Sequence, residues 1–304
     1  MTAFTVIMAA HDTADTVAAA VRSVLAQTRG DFELIVVDDG STDRTADAAA
    51  PFLVDDRVRL LQRDHDGAAT ARAAGIAAGS APLISLIDSD DLWMPSYLSE
   101  MGAALEGSDA AFAYTDAWYL DDRTRRVRRL SAMGYQRPPE RAPETAAELF
   151  ALLCERNFIY NAVTVRRAAV EDAGPPDARL RSMIDWEWWL RLTAAGHRAV
   201  RVPGRLAVYR LRPASLSRDP ALVIRGQRDL WRLVAAEYDL DPARRAELTA
   251  RAERFDAELR SAGAVRLRLR RRAAAIKGAL LRRRDYYREP PPELIDAFGD
   301  LRAV

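Results

Sequence analysis

Cysteine is nearly absent from this 304-residue chain: Cys154 stands alone, which excludes an intramolecular disulfide and makes a reducing cytosol the default compartment. Lysine is as scarce, Lys277 being the single example among 45 basic residues. That scarcity removes one class. A phosphorylatable receiver domain also carries paired acids at a strand end, but it is much shorter and needs a lysine at a later strand end, whereas Lys277 falls within a predicted helix. No stretch of about 18 apolar residues occurs, and no basic segment precedes an apolar one at the amino terminus. Neither a membrane span nor export by a signal peptide is expected. The glycine-rich loop with which a nucleotidyltransferase would hold a nucleoside triphosphate is also missing near the amino terminus. Nor does one charge dominate. With 45 basic against 44 acidic residues, no nucleic-acid partner is indicated.

What is present is an alternation of apolar runs and helical patterns, in a chain long enough to bury a real core. Phe4 to Ala10, Phe32 to Val37, Val58 to Leu61 and Leu83 to Ile87 read as buried strands. Between them, Val17, Val21, Val24 and Leu25 recur at helical spacing, and Ala68 to Ala78 is a helix. Strands alternating with helices imply a doubly wound, mostly parallel sheet, with ligands at the carboxyl ends of its strands. Further strands are expected over Ala110 to Tyr119, Phe158 to Val165 and Leu206 to Arg210, with a hairpin tip or loop over Asp121 to Arg129. A helix is expected over Ala146 to Cys154, and another starting near Met183 and ending near Gly196.

Two acidic clusters fall at strand ends, Asp38-Asp39 and Asp88-Ser89-Asp90-Asp91. Carboxylates packed at the end of a buried strand repel one another and need a compensating partner. A hard divalent cation with a phosphate-bearing substrate is one such partner. A solvated acidic turn capping the next helix is the other reading. In Met183 to Leu192, two further acids are interleaved with three tryptophans.

The motifs in this order resemble the large family-2 inverting glycosyltransferases with the GT-A fold. They are VIMAAHD (Val6 to Asp12), FELIVVDDGSTDRT (Phe32 to Thr45), Gly67 with Ala71-Arg72, LISLIDSDDLWMP (Leu83 to Pro95) and MIDWEWWLRL. The resemblance covers roughly residues 3–218. It implies a Rossmann-like α/β catalytic domain over 1–224 and leaves 225–304 as a helical carboxyl-terminal extension. It also implies transfer of a sugar with inversion from a nucleotide-diphosphate sugar of the UDP kind. The acceptor would be a glycan, a lipid-linked or a small-molecule hydroxyl, with Mn²⁺ or Mg²⁺ as cofactor.

Residue by residue, the resemblance assigns Ala10, His11 and Asp12 to the nucleotide base, Asp38 and Asp39 to base or ribose, and Arg72 to the nucleotide. Asp88 and Asp90 match a DxD motif, with Asp88 and Ser89 toward the donor, Asp90 on the metal and Asp91 a second candidate ligand. Asp185 matches the catalytic base, although Ile184 stands where a glutamate is usual. Glu187 is the fallback base. Trp186 either stacks on a sugar ring or belongs to the core, and Arg212 stands where many members have a histidine and can pair with phosphate. His65 and His197 read as structural or surface residues. A non-catalytic nucleotide-sugar-binding or scaffold protein is the rival reading if Ile184 marks a decayed site.

The extension has its own character. Residues 225–304 hold 19 basic and 13 acidic side chains, and Val265, Leu269, Ala273, Ile276 and Leu280 line one face of a predicted helix. Such a face either docks on the catalytic domain, mediates a homodimer, or lies peripherally on the inner face of a membrane from the cytoplasmic side.

Overall fold

A computed structural model describes residues 2–212, 219–261 and 287–298. Its centre is a mixed sheet of ten strands among the described residues, in the order β10-β7-β6-β8-β4-β1-β2-β3, with β9 beside β6 and β5. The parallel half contains β1 (Phe4–Ala10), β2 (Phe32–Asp39), β3 (Val58–Arg63) and β4 (Leu83–Asp88). Helices α1 (Val17–Leu25), α2 (Thr45–Ala49) and α3 (Ala68–Ala78) connect them. The register places Ala10 level with Asp38 and Ala9 level with Asp88. Both acidic strand ends therefore open on one edge of the sheet. These strands read as unbroken apolar runs because both faces are covered: Val6 and Met8 join one core, Ile7 the other.

The second half is built differently. After β5 (Leu92–Trp93) and α4 (Tyr97–Glu106) comes β6 (Phe112–Asp121), hairpinned to β7 (Arg126–Arg128). Past α5 (Ala132–Tyr135) and α6 (Ala146–Glu155), β8 (Val163–Arg166) runs antiparallel between β4 and β6. Helices α7 (Arg167–Ala173) and α8 (Ile184–Ala194) lead to β9 (Ala199–Leu211), which pairs in parallel with β6. This strand is far longer than Leu206 to Arg210. Its register shifts opposite residues 114 to 117, an irregularity that accommodates Pro203 and Gly204 within the strand. Conversely, only the last part of Phe158 to Val165 forms a strand, because Tyr160 and Asn161 turn toward carboxylates of β4 and its turn.

The described part of the extension is not a loose appendage. Helix α9 (Pro220–Glu237) begins with the Asp219 carboxylate accepting from the Ala221 amide at 2.9 Å and Pro220 in its first turn, a helix-start signature. It runs straight through the boundary expected at 224/225. Leu230, Trp231, Val234 and Ala235 of α9, with Leu248 and Ala252 of α10 (Pro242–Ser261), complete the apolar core around α6 and α8. A short strand β10 (Tyr287–Arg288), absent from the sequence expectation, pairs with β7, and a helix Pro292–Phe298 follows. The predicted face from Val265 to Leu280 and the loop around Ser215 to Ser217 lie outside the described residues. No helix among the described residues is long and apolar enough to cross a membrane.

Candidate active site

At the ends of β1 and β2, most acids serve the backbone of neighbouring loops. Asp39, 2% exposed, accepts from the amides of Gly67 at 2.8 Å and Asp66 at 3.2 Å, pinning the loop before α3. His65 Nδ1 lies 2.9 Å from the same carboxylate and 3.0 Å from the Asp39 carbonyl, which His11 Nδ1 also meets at 2.9 Å. A carbonyl can only accept, so both imidazoles carry the proton on Nδ1. Their rings stack with centroids 4.1 Å apart. Gly40 permits this approach: it has φ +65°, and a Cβ there would lie 2.6 Å from the His65 amide nitrogen. Asp12, exposed and at φ +50°, accepts from the Thr42 amide at 2.7 Å and the Asp43 amide at 3.3 Å. The Thr42 amide holds its carboxyl below the ordinary range. Asp38 accepts from the Ser41 amide at 3.1 Å, and Ala10 is buried beside it as the last residue of β1.

The β4 turn is arranged in another way. One oxygen of Asp88 accepts from Arg72 at 2.7 Å and from Asn161 at 3.0 Å, and Asn161 Oδ1 is left buried without a partner. Asp90 is half-buried. Burial and the neighbouring Asp88 push its carboxyl up to about 6, against the opposing pull of Arg212, whose guanidinium lies 3.8 Å away. Asp91, 2% exposed, instead ties strands together: one oxygen accepts from the Arg210 amide at 2.9 Å and the other from the Tyr160 hydroxyl. Ser89 is buried inside the turn. Arg212 pairs with Asp15 at 2.6 Å and so bridges the first loop to the β4 turn.

Asp185 opens α8 and faces these groups. Burial raises its carboxyl above the ordinary aspartate range, the Arg72 charge opposes that shift, and the Asp88 charge adds to it. Arg72 thus acts on both carboxylates. Asn157 Nδ2 approaches Asp185 at 3.4 Å. The next two residues leave the cleft. Trp186 is buried, donates its indole N–H to the Leu153 carbonyl at 2.9 Å and meets Trp231 edge-on at 5.1 Å. Glu187, 1% exposed, accepts from Tyr238 at 2.8 Å and Arg191 at 2.7 Å. Trp186 therefore packs in the core, and Glu187 anchors α9 to α8. His197 pairs with Asp172 at 2.9 Å, outside the site.

A model of the family described as Glycosyl transferase family 2 matches residues 5–172. The chain belongs to that family. Among curated relatives, the succinoglycan biosynthesis protein ExoO of Rhizobium meliloti is 34% identical over 222 residues, covering 70% of this chain and 62% of that protein. WfaP of Escherichia coli, named a UDP-Glc:alpha-D-GlcNAc-diphosphoundecaprenol beta-1,3-glucosyltransferase, is 27% identical over 213 residues, 70% of this chain and 78% of its own length. Staphylococcus aureus TarS 1–349, solved with UDP, superposes with a TM-score of 0.60 at 16% identity, over 82% of this chain and 70% of its own. The mannosyltransferase PcManGT of Pyrobaculum calidifontis, solved with GDP-Man and Mn²⁺, does so at 0.60 and 15% identity, over 93% of this chain and 81% of its own. These likenesses establish the GT-A fold.

Does this site suit a divalent cation? Among the described residues no group of three or more histidine, cysteine or acidic side chains could hold a metal by itself. The donors still fit a cation that shares its coordination with a diphosphate. Asp90 is an anion kept at a cost, Asp88 is paired through one oxygen only, and the Asn161 carboxamide offers an unpartnered hard oxygen. Asn161, Asn157 and Tyr160 were not singled out from sequence; His65, read there as structural or surface, is half-exposed and bonded to Asp39. An amide inside the run FIYNAV was the available signal for Asn161.

Proposed function

We propose that this glycosyltransferase moves a sugar from a nucleotide-diphosphate sugar, UDP-linked in preference, to an acceptor hydroxyl with inversion, in polysaccharide or cell-envelope synthesis. The observation that carries the reading is the convergence of Asp88, Arg72 and Asp185, drawn from three separate motifs onto one cleft. Asp185 takes the proton from the acceptor hydroxyl as it attacks the anomeric carbon, and its raised affinity for a proton suits that role. Arg72 holds the donor end and restrains Asp88. Asp88 and Asp90 orient the sugar-diphosphate, and Asp90 would hold Mn²⁺ or Mg²⁺. Such a cation would supply positive charge to offset the charge that grows on the leaving diphosphate.

At the other end, His11 and His65 present a stacked imidazole pair beside Asp39, a polar, flat-walled setting for the base. Arg212, tied to Asp15 and near Asp90, stands where it can pair with phosphate. Asp91 supports the turn rather than the ligand, since both oxygens are engaged within the protein. Ile184 does not favour a decayed site: it is 7% exposed and part of the core, so the cleft retains Asp185 while the core gains an apolar residue.

The acceptor class follows the name of the relative WfaP: a sugar linked to a lipid diphosphate. The test offers UDP-glucose, UDP-GlcNAc and GDP-mannose with Mn²⁺ and GlcNAc-diphosphoundecaprenol, and follows nucleotide release and the product anomer. Transfer with inversion that disappears in Asp185→Asn is expected. A folded Asp185→Asn protein that transfers at the wild-type rate, or a product with retained configuration, sinks the reading.

A further inference from the structure

Two locally unfavourable features meet at one contact directly ahead of Asp185. Met183, the residue before α8, holds φ +60° and ψ 22°, a left-handed conformation that residues with a side chain rarely adopt. Facing it is Gly226, in the interior of α9, where glycine is a poor helix former. Space explains the glycine. A Cβ on Gly226 would lie 1.8 Å from Ser182 Oγ and 3.2 Å from Met183 Cγ. Ser182 Oγ also donates to the Leu222 carbonyl at 3.2 Å, one turn earlier on α9. The backbone of α9 therefore lies against the two residues that lead into the turn bearing Asp185.

A second grip lies just beyond Asp185. Glu187 is wholly buried, and a buried carboxylate must be paired. Its partners are Arg191 on its own helix and the Tyr238 hydroxyl at the end of α9. Burial, with the Glu187 charge beside it, pushes the Tyr238 phenol up, so the hydroxyl stays a donor. Trp186 adds its edge-on contact with Trp231 of α9. Successive residues of a helix point about 100° apart. With residues 182–183 and 186–187 held against α9, the direction of Asp185 is determined: it points away from α9, toward Arg72 and Asp88.

We propose that α9 is the positioning element of the base, with Gly226 and Tyr238 as positioning residues that grip the turn before and after Asp185 and aim its carboxylate into the cleft. The inference rests on Asp185 being the base. Misplacing a reacting group by about 1 Å can cost roughly 100-fold in rate, so a small shift of this turn registers in turnover before it registers in donor binding.

The test uses the full chain and whichever donor of the panel above the wild type turns over. Gly226→Ala is expected to lower kcat about tenfold or more, and Tyr238→Phe to lower it by a smaller factor. The donor KM and the UDP dissociation constant with Mn²⁺ should stay at wild type, and the acid limb of the kcat profile should move. Amide exchange over 183–187 should quicken in both variants. Ser182→Ala in the Gly226→Ala background removes the nearest clash and should restore part of kcat together with slow amide exchange over 183–187. If Gly226→Ala does not fold, Tyr238→Phe decides, since it removes one hydroxyl. Folded variants with wild-type kcat overturn the inference, as does a loss of UDP affinity in step with kcat. Asp185→Asn separates the two readings: inactive Asp185→Asn with fully active Gly226→Ala and Tyr238→Phe removes only this inference, whereas active Asp185→Asn removes the proposed function and this inference together.

Discussion

The acids at the ends of β1 and β2 and those in the cleft have the same chemistry and opposite circumstances. Asp12 is held below the ordinary carboxylate range by the Thr42 amide; at Asp43, burial is outweighed by hydrogen bonds from Thr45 and Ala14. Asp39 likewise collects two loop amides. Asp90 and Asp185 are pushed the other way, in both cases by burial first, with Asp88 adding to it. A carboxylate satisfied by amides shapes a loop. One held against burial and like charge is poised to take up a proton or a cation, which is why such groups collect at reactive sites.

Asp185→Asn is the most severe way to break this contrast. Removing a general base should cost about 100- to 10,000-fold in kcat with the fold intact, while Asp12→Asn, at the other end, should leave kcat near wild type when donor is saturating. Equal losses would erase the distinction. Asp90→Asn comes next, with a loss of roughly 100- to 1,000-fold if it helps stabilise charge on the leaving group. Chelation of the cation should reproduce that loss in the wild type, and Mn²⁺ should reverse it there but not in the variant. Donor turnover unaffected by chelator would remove the cation from the reading.

The pH profile sharpens the same point more gently. Asp185 acts as its anion, and its carboxyl lies above the ordinary range. Activity should therefore fall about tenfold per pH unit on the acid side, beginning at a higher pH than the usual aspartate value of about 3.9. Kcat measured against pH at saturating donor checks this. An acid limb at the unperturbed value would show that Asp185 is not held as the geometry implies.

The parallel half of the fold was readable in sequence because its signal is local. Apolar runs such as Phe32 to Val37 end in acids, and a strand's end is where its ligand-facing residues fall. Asp39 and Asp88 stood out that way, and Arg72 and Asp185 only through the family motifs around them. What escaped depends on distant partners. Nothing within MIDWEWWLRL reveals that Trp186 and Glu187 turn toward Trp231 and Tyr238, 45 and 51 residues later. Helical periodicity states which residues share a face and not what covers it. For the same reason the expected boundary at 224/225 fell inside α9. His65 was read as structural or surface, but its contact with Asp39 escaped because it needs the close approach that Gly40 allows.

Asp39→Asn is the smallest of the expected effects and tests the other side of the comparison. The carboxylate accepts from Gly67 through one oxygen and from Asp66 through the other, so an asparagine must turn its amide toward one of those N–H donors. One buried donor then loses its acceptor, at a cost of about 1–3 kcal/mol. Thermal unfolding should show that loss. If the loop before α3 borders the nucleotide, part of the same free energy appears as weaker UDP binding, by up to roughly tenfold for each 1.4 kcal/mol. At saturating donor, kcat should stay within about twofold, because Asp39 shapes the loop and takes no proton in the reaction. A drop in kcat comparable to that of Asp185→Asn would mean that the amide-held acids also take part in the chemistry, and the division between the two groups would have to be redrawn.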